Sequence, residues 1–134
     1  MIKAEIVVDF PKWKTKIKNP SLYFKKKIKK LSYVKSLKKK NFQFTLLLTN
    51  KTVIKKLNKR FRKKNKETDV LSFPIKSHFN KNYKGDIAIC YEIINLRSKK
   101  TNFNIEFDKM WIHGLLHLLG YDPVSYTHLR AHET

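Results

Sequence analysis

The feature that most limits how this chain can fold is the apolar segment from Ile105 to Leu119, set in a polypeptide otherwise crowded with lysine. Met110, Trp111, Leu115, Leu116, Leu118 and Leu119 recur around most of a helical circumference, which predicts a helix buried in the interior rather than lying on the surface. Gly120 is placed to stop it. A chain of 134 residues with 41% hydrophobic residues has enough apolar material to bury such a helix in one domain and is too short for two ordinary ones.

The elements ahead of that helix alternate in type. Ile2 to Phe10 is rich in β-branched and aromatic residues and stops before Pro11, predicting a strand. Asn19-Pro20-Ser21 predicts a helix start, followed by an apolar stripe of Leu22, Phe24, Ile28, Leu31 and Val34 among lysines. Phe42 to Thr49 predicts a second strand, after which Thr49 or Asn50 can cap a helix carrying Val53, Ile54, Leu57 and Phe61. A polar loop at 63–66 follows, then extended segments at Thr68 to Pro74 and Gly85 to Cys90, and a helix from Tyr91 to Lys100. The polar break at 101–104 leads into the apolar helix. The order ahead of the last two helices is thus strand, helix, strand, helix, strand, strand.

The formal charge of +21, from 31 Lys and Arg against 10 Asp and Glu, favours a polyanionic partner such as nucleic acid or an acidic membrane surface. Compositional pressure from an AT-rich genome produces the same lysine enrichment, so charge alone leaves both explanations open. Cys90 is the only cysteine, which excludes an internal disulfide and a multi-thiolate zinc site and fits a cytoplasmic setting. The first ten residues include acidic side chains and no cleavage signal, and no apolar run reaches the roughly 20 residues of a membrane span. A soluble protein is expected.

His113 and His117 stand four residues apart, so a helix projects both from one face, where two imidazoles can chelate one metal ion. The plainer alternative is a pair of satisfied histidines in a buried helix. Gly114 occupies the position where a zinc peptidase of the His-Glu-x-x-His type carries its general base, which disfavours a metalloprotease. A glycine inside a helix costs stability, so Gly114 implies close approach by a neighbouring element or by substrate. Arg62 is either a charge-stabilising group or a solvated residue of a lysine-rich helix. Asp86 and Asp122 either orient imidazoles or cap turns. Ser72 lacks the context of a nucleophilic serine, and His78 reads as a loop residue.

The run from His113 through Gly114, His117, Leu118, Gly120 and Tyr121 to Asp122 resembles the signature of the YbeY endoribonucleases. Three further segments agree in order and spacing: Leu57-Asn58 with Phe61-Arg62 and Lys64, then Thr68 to Pro74, then Gly85-Asp86-Ile87. The resemblance spans about residues 2 to 122. It implies a small α+β fold of metalloprotease-like type, with a mixed sheet packed against helices and a buried helix near the C-terminus bearing metal ligands beside a basic groove. It further implies single-strand endoribonuclease activity in ribosomal RNA maturation and ribosome quality control, with the ribosome or its small subunit as partner. By the same match His113 and His117 would hold one Zn2+, His113 and Arg62 would serve catalysis, and Arg62 and Lys64 would bind RNA.

The resemblance fails at one ligand. A third histidine should follow Asp122, and the chain has Pro123. The segment from Val124 to Thr134 differs from the family's usual ending and resembles translated sequencing adapter. Residues 1–123 are therefore expected to form the domain, incomplete at its C-terminal end, with 124–134 as a non-native tail whose His128 and His132 are set aside. A non-catalytic basic module that binds RNA or the ribosome is the alternative this departure leaves open.

Overall fold

The structure, a computed structural model, describes residues 1–31, 40–75 and 79–120. Val34, His78, Asp122, Pro123 and the segment 124–134 lie outside the described residues. Among the described residues nine elements follow in order: β1 (Ile2–Val8), α1 (Trp13–Lys16), α2 (Pro20–Leu31), β2 (Phe42–Thr49), α3 (Lys51–Arg62), β3 (Val70–Pro74), β4 (Tyr83–Cys90), α4 (Tyr91–Arg97) and α5 (Phe103–Leu118). The strands form one mixed sheet in the order β1-β2-β4-β3. β1, β2 and β4 are parallel, and β3 runs antiparallel to β4 at the edge. The α+β class expected from the sequence is the one observed.

Strand alternation divides the sheet into two unlike faces. Phe42, Phe44, Leu46 and Leu48 of β2, with Ile87 and Ile89 of β4, face the main core, where they meet Trp13, Phe24, Phe107, Trp111 and Leu115. Trp13 is held by edge-to-face contacts with Tyr91 and Phe103 and by donating its indole N–H to the carbonyl of Thr49 at 2.9 Å. The opposite face has a smaller cluster of Ile54, Leu71, Ala88 and Cys90 under α3.

Several boundaries differ from the sequence reading. β1 ends at Val8 because Phe10 and Pro11 already belong to the turn that enters α1, a helical turn that the periodicity did not show. α5 begins at Phe103 because the Asn102 side chain accepts the N–H of Ile105 at 2.9 Å and caps the helix. Its burial is one-sided rather than all-round: Phe103, Phe107, Met110, Trp111, Gly114, Leu115 and Leu118 are buried, whereas Ile112 is 38% exposed and Leu116 and Leu119 are half-buried. The buried side of the helix packs on β3, β4 and α4 and, through Tyr23 and Phe24, on α2.

Candidate functional site

His113 and His117 lie on the unbroken helix α5, so they project one turn apart on one side. His113 is half-buried and His117 exposed, and an exposed side chain is not a core histidine. The helix is set against the sheet by Gly114. A Cβ at that position would stand 2.7 Å from Cγ2 of Ile87 and 3.0 Å from Oγ of Ser72, so Ile87 would have to shift to admit any side chain. Ser72 donates its hydroxyl to the Gly114 carbonyl at 3.1 Å. The neighbour implied by the glycine is therefore the sheet itself, and Ser72 serves as a tether between β3 and α5. Beyond Leu118 the chain turns through Gly120, whose φ of +85° is a left-handed conformation that favours glycine.

Arg62 and Lys64 sit at the opposite end of α3. Asn50 starts this helix by accepting the N–H of Val53 at 3.0 Å, as its capping pattern predicts. The helix ends at Lys63, which takes the left-handed conformation at φ +60°. Buried Asn58 then fixes the following loop: its side-chain amide donates to the Lys66 carbonyl at 2.9 Å, and its own carbonyl accepts the Lys64 N–H at 3.2 Å. The loop conformation that carries exposed Lys64 thus depends on Asn58. Phe61, expected on the apolar stripe of α3, is instead 58% exposed, because the last turn of α3 extends past the buried part of the sheet. Its ring lies 5.3 Å from that of Phe73, and the Arg60 guanidinium lies over it at 5.3 Å.

Between α3 and the sheet runs a cleft of about 800 Å³. Its floor follows from strand register. Val7, Leu47 and Ala88 are neighbours in one row across β1, β2 and β4, and Thr45 and Asp86 are neighbours in the next. Phe61, Arg62, Phe73 and Ile75 contribute to the walls, and Ser72, Ile87 and His117 also line it. The cleft brings Arg62 and His117 together, although they come from different helices. His113 and Lys64 are not among its lining residues.

A polar group sits in the otherwise apolar floor. The Tyr83 hydroxyl donates to the Asp86 carboxylate and lies 2.7 Å from the Thr45 hydroxyl. Burial raises the Tyr83 pKa, and the Asp86 hydrogen bond and charge add to the rise, so the phenol stays protonated and remains a donor at neutral pH. Asp86, considered from sequence as a partner for an imidazole, has the Tyr83 phenol as its hydrogen-bond partner. Neither Thr45 nor Tyr83 was singled out from sequence, since only the register that aligns β2 with β4 reveals them. Among the described residues no group of three or more His, Cys, Asp or Glu side chains is gathered as a metal site requires.

Comparison with known proteins places these features in a family context. The family model described as Endoribonuclease YbeY matches residues 8–131. An Endoribonuclease YbeY of Pelagibacter ubique is 45% identical over 133 residues, covering 93% of this chain and 85% of the relative. One from Buchnera aphidicola is 46% identical over 106 residues, covering 75% of this chain and 66% of the relative. Among solved structures, the solution structure of a Thermotoga maritima protein matches with a TM-score of 0.54 and 27% identity, over 91% of this chain and 74% of the other.

Proposed function

The chain belongs to the Endoribonuclease YbeY family, and from that premise we propose that it hydrolyses phosphodiester bonds within single-stranded RNA, with ribosomal RNA precursors as substrate and the ribosome or its small subunit as partner. The observation that carries this reading is the shared cleft of Arg62 and His117. Hydrolysis of a phosphodiester concentrates negative charge on the phosphoryl oxygens in the transition state. The planar guanidinium of Arg62 suits that charge, since it can donate two parallel N–H bonds. Arg60, Lys63, Lys64 and Lys66 surround the same end of α3 and supply the field that draws the RNA backbone in.

His113 and His117 would hold one Zn2+, because both are imidazole donors on adjacent turns of one helix, the donor type and spacing that zinc accepts. The chemistry supplied there would be Lewis acidity, enough to lower the pKa of a water to about 7 and to polarise a phosphoryl oxygen. The fit is to two places of a three-histidine set, since Pro123 offers no donor where the family pattern has the third. This chain is therefore expected to bind zinc weakly and to cleave slowly.

A fluorogenic single-stranded RNA provides the test. Cleavage should be low in the chain as it stands, rise at least about tenfold in Pro123→His, and disappear on chelation. Arg62→Ala in that background should lower the rate about 100-fold with RNA still bound. Cleavage indifferent to both Arg62→Ala and His117→Ala would refute the assignment. Tight RNA binding without cleavage by Pro123→His would instead identify a non-catalytic binding module.

A further inference from the structure

The cleft is more apolar than capture of a phosphate backbone requires. A backbone site needs cations on a surface, yet this one has a deep floor of Leu47 and Ala88, an exposed aromatic wall, and one carboxylate. A carboxylate beside a polyanion repels it unless it meets a different part of the ligand. We propose that the cleft is a nucleobase pocket, in which one unpaired base of the RNA stacks on Phe61 while the carboxylate of Asp86 accepts hydrogen bonds from its amino edge. The proposal rests on the single-stranded RNA reading above and adds to it a recognition site with a base preference.

Each part of the pocket has a physical role. Phe61 is 58% exposed at the end of α3, with Phe73 against it and the Arg60 guanidinium over it, so an inserted base gains an aromatic face without displacing a packed core. Positive charge at Arg60 and Arg62 lies where the phosphates flanking that base must pass. The volume of about 800 Å³ falls within the range of small-molecule sites and accommodates a nucleotide.

Asp86 sets the preference. An ionised carboxylate only accepts hydrogen bonds, and Tyr83 uses one of its acceptor positions. The Tyr83 hydroxyl in turn has Thr45 beside it, which fixes the phenol and with it the carboxylate orientation. Adenine and cytosine each present an exocyclic amine, and guanine presents an imino and an amino group side by side. Uracil offers one imino N–H flanked by two carbonyl oxygens, which a carboxylate repels. The pocket therefore selects amino-bearing bases over uracil.

The test is equilibrium binding of the full chain, in chelator, to fluorescently labelled oligouridine and to the same strand with one central adenosine, cytidine or guanosine. The expected result is at least about tenfold tighter binding of the substituted strands. Asp86→Asn, whose amide both donates and accepts, should bring that ratio to about two or less while leaving oligouridine affinity unchanged or improved. Phe61→Ala should weaken binding of every strand about tenfold, and Phe61→Trp should restore it. Thermal melting identifies any variant that fails to fold, and Tyr83→Phe then provides a second probe, since loss of its hydroxyl should also reduce discrimination. Equal affinity of the parent chain for all strands, or discrimination that survives Asp86→Asn, overturns the proposal. Cleavage by Pro123→His without discrimination would remove the base pocket and leave the nuclease standing; discrimination with no cleavage by Pro123→His would do the reverse.

Discussion

The two faces of the sheet are built from adjacent residues of the same strands and end in opposite conditions. On the α5 side, Phe42, Phe44, Leu46 and Leu48 are sealed beneath Trp13, Phe24, Phe107 and Trp111, where Phe24 meets Phe107 and Trp111 edge to face and Trp13 meets Phe107 at a tilt. On the α3 side, among the described residues, a smaller cluster around Ile54, Leu71, Ala88 and Cys90 is closed, and the cleft runs from Val7 to Phe61. The cause is coverage. One face carries α2, α5 and the α1 turn, whereas the other carries a helix of 12 residues, about 18 Å long, whose final turn projects beyond the packed cluster. Apolar side chains thus have two uses in this protein: on one face they hold the fold together, and on the other they form a surface for a ligand.

Replacing one aromatic residue from each face is the strongest challenge to that contrast. Trp13→Ala removes a fully buried ring and leaves the Thr49 carbonyl without its donor, so it should cost about 3–5 kcal/mol in urea unfolding. Phe61→Ala should change stability by about 0.5 kcal/mol or less. Similar losses in the two variants would show that both faces are core.

Gly114→Ala tests the contact that links the faces. A methyl group there must displace Ile87, a stiff β-branched side chain, at an overpacking cost of about 1–3 kcal/mol against a helix-propensity gain of about 1 kcal/mol. A lowered melting temperature is expected, together with reduced cleavage as α5 carries His117 away from the cleft. A raised melting temperature would mean that the helix does not seat as closely as described.

The remaining predictions concern pH. Burial pushes the Asp69 carboxyl up, but the hydrogen bond and charge of Arg97, with the Val70 N–H and the Thr68 hydroxyl, together hold it below the usual carboxylate value. The ion pair, 2.6 Å long, joins the start of β3 to the end of α4. A depressed pKa contributes stability above the unfolded value of about 4, and that stability is lost as pH falls through the lower folded value. Melting temperature should therefore drop below pH 4 in the parent, and the drop should be shallower in Asp69→Asn. The Cys90 thiol is pushed up to about 11, first by burial in the cluster beneath α3. A raised pKa contributes stability that is complete below the unfolded thiol value of about 8.5 and is lost as pH rises through 11. Thiol labelling of the folded chain at pH 8 should consequently be slow, and rapid labelling would show that the α3 face is open at this end as well.

Much of the fold was legible because its signals are local. The alternation of Phe42 to Leu48 marks β2, the Asn50 cap and the spacing of Ile54 and Leu57 mark α3, and Gly114 announced a close approach that the structure realises. The helical turn holding Trp13 was not legible, since four residues carry too little periodicity and its stability comes from tertiary contacts. The exposure of Phe61 was likewise hidden. A helical stripe shows which residues share a face but not where the facing sheet ends.

The candidate site divides in the same way. Sequence alone determined which residues have suitable chemistry: the imidazoles of His113 and His117 on one side of a helix, the guanidinium of Arg62, and the absence of a third imidazole at Pro123. Only the tertiary structure decided that Arg62 and His117 border one cleft, that Thr45 and Asp86 line it with the Tyr83 hydroxyl against both, and that Phe61 forms a wall. Helical spacing follows from backbone geometry within a few residues. The pairing of β2 with β4 and the placement of α3 and α5 about the sheet follow instead from which apolar surfaces bury each other across the whole chain.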